Sequence, residues 1–147
     1  MEFTFDDMMA VCAKHFSLVA IELAELMGKK LDFSEESVNT LEKILDWYHK
    51  DIQKGSNEYF YKGQTEEELV RISKIWGSYL GEVMIKNLSG EWKMSETNGI
   101  KDLYIRFNNG WMINPLNKIA KRIINGNEDD ISGFYYAIKM EYSKIKK

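Results

Sequence analysis

Between residues 88 and 92 the spacing of apolar side chains changes, and no other feature restricts the fold as strongly. Before that point large hydrophobics recur at steps of three and four; after it they alternate with polar neighbours. A period of 3.6 buries one stripe of a helix, whereas strict alternation buries one face of a strand. The chain therefore predicts helices, then a small sheet, then helices again.

The first helix is expected over residues 5–27, with Met8, Cys12, Phe16, Val19, Leu23 and Leu26 as its apolar stripe. Thr4 is placed to accept from the first free amides, and Gly28 to close the far end. After "KKLDF", Ser34 and two acids precede Val38, Leu41, Leu45, Tyr48 and Ile52, a second helix ending near Gly55. "GSNEYFYKGQ" reads as an irregular piece whose Tyr59, Phe60 and Tyr61 fold back on the core. Thr65 and Glu68 form a capping box, and Leu69, Ile72, Trp76, Leu80 and Val83 carry a third helix to about Asn87.

"EWKMSE", "LYIRF" and "WMI" then alternate as three short strands, separated by the turns "TNG" and "NNG". For the second hairpin, a three-residue loop with Gly110 in the left-handed region sets Phe107 opposite Trp111 and Ile105 opposite Ile113. That pairing matches better than a two-residue Asn109-Gly110 turn, which would put Phe107 opposite Met112. Asn114-Pro115 reads as N-cap and first helical residue, since proline lacks only an N–H that would be unpaired there. A fourth helix with Leu116, Ile119 and Ile123 stops at Asn125-Gly126. "NEDD" leads to a last helix bearing Ile131, Phe134, Tyr135, Ile138, Tyr142 and Ile145.

The expected class is α+β: three N-terminal helices, a three-stranded antiparallel meander and two C-terminal helices. Residues 1–147 make a single domain, because no linker or repeat divides them and a sheet this small needs helices on one face. No apolar stretch approaches the ~18 residues of a membrane span. The opening "MEFTFDD" is acidic, unlike a secretory signal. With a lone cysteine, Cys12, these features point to a cytoplasmic protein without disulfides.

Charge is unevenly placed. Residues 1–60 hold 12 acidic against 6 basic side chains, whereas residues 115–147 hold 4 against 7. An acidic front half suits a basic protein partner and disfavours nucleic acid, which needs a concentrated Lys/Arg footprint.

Candidate chemistry is sparse. Gly77 and Gly81 lie four apart within the third helix, where each glycine costs about 0.5–1 kcal/mol against alanine. Close approach of another backbone or side chain is the expected reason. Glu82 falls at the rim of the buried stripe and needs a partner, for which Arg106, Lys121, Arg122 or the first amides of the fourth helix are candidates. A binding cleft between the sheet and the third helix would be lined by Tyr79, Glu82, Trp92, Arg106 and Trp111. Cys12, His15 and His49 do not make the three- or four-ligand spacing of a metal site. No phosphate loop, zinc-protease helix or nucleophile elbow is present, and no cofactor, metal or catalytic residue is assigned.

At "GSYLGEV…LSGEW", "YIRFNNGWMINP" and "KIAKRIINGNEDDISGFY", roughly residues 76–136, the chain resembles a group of small bacterial proteins without an assigned activity. They share a Tyr-Leu-Gly-Glu helix end, a Gly-x-Trp strand and an Asn-Pro helix start. The resemblance implies a bacterial α+β domain and transfers no catalytic residues.

Two functions are therefore expected in turn. The first is a non-enzymatic protein-binding module, for example an immunity or toxin-neutralising protein. The alternative is a small-molecule binder or modest enzyme using the cleft beside the third helix.

Overall fold

Thr4 opens the first helix by a reciprocal cap: its hydroxyl accepts from Asp7 N at 3.0 Å while its own amide donates to the Asp7 carboxylate at 2.9 Å. In the computed structural model, which describes residues 4–53 and 65–146, α1 then runs Phe5–Leu26. It is followed by α2 (Ser37–Gln53), α3 (Thr65–Leu88), β1 (Gly90–Thr97), β2 (Ile100–Phe107), β3 (Met112–Ile113), α4 (Pro115–Asn125), a short 3-10 turn (Gly126–Asp129) and α5 (Ile131–Lys146). The order is the α+β arrangement that the change of period predicts. The expected end of α2 near Gly55, the Tyr59–Tyr61 aromatics, the side chain of the Thr65 cap and that of Ile145 lie outside the described residues.

The sheet is antiparallel in the order β1-β2-β3. Asn98 and Gly99 both take positive φ, 54° and 79°, so the first hairpin closes through a two-residue turn whose twist suits the strands. In the second hairpin Ile105 pairs with Ile113, Phe107 N donates to Trp111 O at 2.9 Å, and Gly110 has φ 89°. This is the three-residue loop preferred from side-chain matching. Asn114 caps α4, accepting from Asn117 N at 3.0 Å.

α3 runs through the core, with Ile72, Trp76, Tyr79, Leu80, Val83 and Met84 all buried. Both its interior glycines are contact points. A Cβ on Gly77 would lie 2.7 Å from the Leu116 Cα of α4, and one on Gly81 would lie 2.2 Å from Cη2 of Trp92.

α1 departs from its expected stripe. Its buried face is Ala13, Ser17, Ala20 and Ala24, while Met8, Cys12 and Leu26 are exposed and Phe16, Val19 and Leu23 only half-buried. Small side chains let α1 settle closely on α3, the helix it meets most extensively, and the larger residues flank that seam. The contact distance between helices selected the face, not the size of the hydrophobics.

Arg122, one of the candidate partners for Glu82, is instead 0% exposed and engaged elsewhere. Its guanidinium donates to both Glu42 oxygens and to Asp46, at 2.6–2.9 Å, and Glu42 also accepts from Ile131 N, the first amide of α5. One buried cation thus ties α2 to α4 and α5. Burial opposes its charge, but the hydrogen bonds it donates to Glu42 and Asp46 outweigh it, so its proton is held more tightly than in free arginine.

No helix among the described residues is long and apolar enough to cross a membrane.

Candidate functional site

α1, α3, α4 and the sheet frame a half-open cavity of about 810 Å³, within the size range of pockets that take small organic ligands. Met9, Cys12, Ala13 and Phe16 line it from α1. Leu69, Val70, Ser73, Lys74 and Ser78 come from α3; Met94 from β1; Lys101 through Tyr104 from β2. Leu116, Asn117 and Ala120 complete the wall from α4, with Asn114 at its cap. The hollow exists because facing positions carry small side chains, Ala13, Ser73 and Ala120, which cannot fill the space between the elements.

Most of the wall is apolar, and one polar atom in it is anomalous. Ser73 is 5% exposed, yet its hydroxyl has no hydrogen-bond partner among the described residues. Two other helical serines bond to the preceding turn, Ser17 to Lys14 O at 2.7 Å and Ser143 to Lys139 O at 2.8 Å. A buried hydroxyl left unpaired costs about 1–3 kcal/mol. The oxygen itself is sealed from solvent, so it lies behind the surface of the hollow and does not open on it.

Two cations stand on the rim. Lys74 and Lys101 are exposed, and neither ion-pairs with a carboxylate among the described residues; Lys101 Nζ sits 5.8 Å over the Phe5 ring. Asp102 is the single acid lining the cavity.

The five residues anticipated for a cleft are placed elsewhere. Tyr79 is buried on the opposite side of α3, where its hydroxyl accepts from Phe33 N at 2.9 Å and shares a 2.6 Å bond with Ser37. Burial raises its pKa. It supports a strained residue: Phe33 has φ 62°, and is held by the Tyr79 bond, by stacking on the Tyr79 ring and by Asn87 donating to its carbonyl. Trp92 packs into the notch of Gly81 and donates from Nε1 to Glu82 at 2.9 Å. The partner of the half-buried carboxylate is thus an indole N–H, not Arg106, Lys121, Arg122 or the start of α4. Arg106 is exposed on β2, and Trp111 stands 36% exposed after the second turn. Of the five, the structure joins Glu82 with Trp92, and none lines the cavity.

A cleft beside α3 therefore exists, walled by other residues. One signal for it is present in the sequence: Ser73 lies on the apolar side of α3, between Leu69 and Trp76, where a polar residue is out of pattern. Long-range contributions from Met94, Leu103 and Ala120 carry no such signal. A second hollow of about 640 Å³ lies between α1 and α2 beside Leu26 and Trp47. None of the buried polar atoms without a partner belongs to its lining.

Among the described residues no group of three or more His, Cys, Asp or Glu side chains is placed to hold a metal ion. Comparison with protein-family models, with curated proteins and with solved structures yields no match.

Proposed function

We propose that this chain is a binding protein for a small, largely apolar molecule, held in the cavity between α1, α3, α4 and the sheet. The observation that carries this reading is the hollow itself, about 810 Å³ with a mostly apolar lining drawn from α1, α3, α4 and the sheet. Folding leaves an unfilled, mostly apolar volume there, which destabilises the empty protein. A ligand with an apolar body would fill it and remove that penalty.

The acidic front half lends less to a protein-docking reading than its charge count suggests. Lys139 donates to Glu35 at 2.6 Å, Arg122 engages Glu42 and Asp46, and Lys93 meets Asp6 at 3.5 Å. Asp7 and Asp32 accept from neighbouring backbone amides. Four of the front-half acids, Asp6, Glu35, Glu42 and Asp46, are thus answered by cations of the back half, which lowers the field available to steer a basic partner.

The test uses the neutral dye N-phenylnaphthylamine, whose emission rises in apolar surroundings. The native chain is expected to bind it saturably and to shield Cys12, the sole cysteine, from a thiol reagent. Ala120→Phe, which fills the hollow from α4, should abolish both effects while the circular dichroism stays native. Equal dye binding by the two proteins would overturn the reading.

A further inference from the structure

The sheet ends unevenly beside the hollow. β2 spans Ile100–Phe107, but β3 is Met112–Ile113 alone and pairs only with Ile105 and Arg106. The residue that would continue the pairing is Pro115, which has no N–H for a ladder and turns the chain into α4. Alternate residues of a strand direct their amide and carbonyl to opposite edges. Phe107 N donates to Trp111 O on the β3 side, so at steps of two the backbone groups of Ile105, Leu103 and Lys101 face that side as well. Ile105 has Ile113 opposite it. Leu103 and Lys101 have no strand opposite them, and no backbone hydrogen bond on that edge among the described residues. Each presents one donor and one acceptor. These residues are also the sheet's share of the hollow's lining, to which α4 adds Leu116 and Asn117. The open edge of β2 therefore borders the hollow.

We infer that the ligand is a short apolar peptide in extended conformation, added as a strand beside Lys101 and Leu103 where β3 stops, with one side chain filling the hollow. This rests on the hollow being a binding site, and narrows the small apolar molecule to one that carries a peptide backbone. An open edge takes a further strand through main-chain hydrogen bonds, while a pocket takes alternate side chains. The unpaired groups of Lys101 and Leu103 repeat at roughly 6.8 Å, the two-residue repeat of an extended chain. An apolar molecule without amides would fill the hollow and leave them unpaired. In line with β3, the added strand runs antiparallel to β2. The peptide residue opposite Leu103 then exchanges N–H and C=O with it, and turns its side chain to the same inner face as Leu103, Ile105 and Phe107.

The probe is the capped peptide acetyl-Ser-Val-Leu-Val-Ser-amide, titrated into the native protein by calorimetry beside two derivatives, one N-methylated at its leucine and one at both valines. The unmodified peptide is expected to bind, to displace N-phenylnaphthylamine and to slow hydrogen exchange at the Leu103 and Lys101 amides. N-methylation removes a donor and blocks one edge of the peptide with every side chain intact. At the leucine, whose amide faces β2, it should weaken binding roughly tenfold or more. At the valines, whose amides face away, it should cost about twofold at most. Any other pattern of the two methylations, unchanged exchange at Leu103 and Lys101, or a peptide that leaves bound dye in place would overturn the strand-pairing inference, while dye binding keeps the hollow as a binding site. A chain that binds neither peptide nor dye would overturn the binding reading itself.

Discussion

Replacing Gly81 by alanine sets two effects against each other, and the structure decides the sign. Alanine in a helix interior is favoured over glycine by roughly 0.5–1 kcal/mol. Here, however, the new Cβ falls 2.2 Å from Cη2 and 2.3 Å from Cζ2 of Trp92, more than an ångström inside ordinary contact. The indole cannot simply swing away, because it is 4% exposed and its Nε1 is held by Glu82 at 2.9 Å. Overpacking of this kind costs about 1–3 kcal/mol, and loosening a hydrogen bond to a charged acceptor adds about 1.5–3 kcal/mol if it breaks. A net loss of about 2 kcal/mol is expected, lowering Tm by roughly 4–8 °C for a chain of this size. The assay is thermal and urea unfolding followed by circular dichroism, repeated in a Trp92→Phe background. There the shorter ring leaves room, so Gly81→Ala should be neutral or slightly stabilising, giving a coupling of about 2 kcal/mol between the sites. An increase in Tm in the native background, or an equal cost in both, would refute the argument that Trp92 demands the glycine.

Arg122→Ala removes the cation between Glu42 and Asp46 and should destabilise by about 3–5 kcal/mol in urea unfolding, with a smaller loss for Arg122→Met combined with Glu42→Gln. Tyr79→Phe strips the Phe33 amide and the Ser37 hydroxyl of a shared partner, for an expected cost of about 1–3 kcal/mol read from the same transition. Ser73→Ala deletes an unsatisfied hydroxyl and should leave Tm unchanged or raise it, the reverse of the usual result for a buried polar truncation. Burial tends to raise the Glu35 pKa, but hydrogen bonds from Lys139 and Tyr135 outweigh it, and Lys50 with Arg122 likewise lowers that of Asp46. Because both folded values lie below the ordinary 4.5 and 3.8, their contribution is complete above pH 4.5 and lost as pH falls through the folded values. The urea midpoint should therefore hold steady above that pH and decline below it, and Lys139→Met should shrink the decline.

Much of the architecture was legible because it is written in short-range chemistry. A threonine three residues before an aspartate, an Asn-Gly pair between alternating strands, and an Asn-Pro before an apolar run each act within one turn of chain. The matching of Ile105 with Ile113 needed only the length of one hairpin. The glycine pair of α3 announced a close approach, although not that Leu116 and Trp92 make it. The candidate cavity was barely legible. A cleft beside α3 was anticipated, but its walls are built from residues up to about a hundred positions apart, and only Ser73 stood out of pattern on its own helix.

The amino-acid order by itself determined which elements form, their sequence along the chain and the register of the second hairpin. Those follow from steric limits and hydrogen bonds among neighbouring residues. Tertiary structure alone decided which side of α1 is buried, since an alanine face wins when helices close tightly. It also decided that Arg122 lies inside between two carboxylates of α2, that Glu82 answers to an indole, and that small residues from three helices leave a space unfilled. Each depends on how far apart packed elements come to rest, a distance that no local pattern encodes.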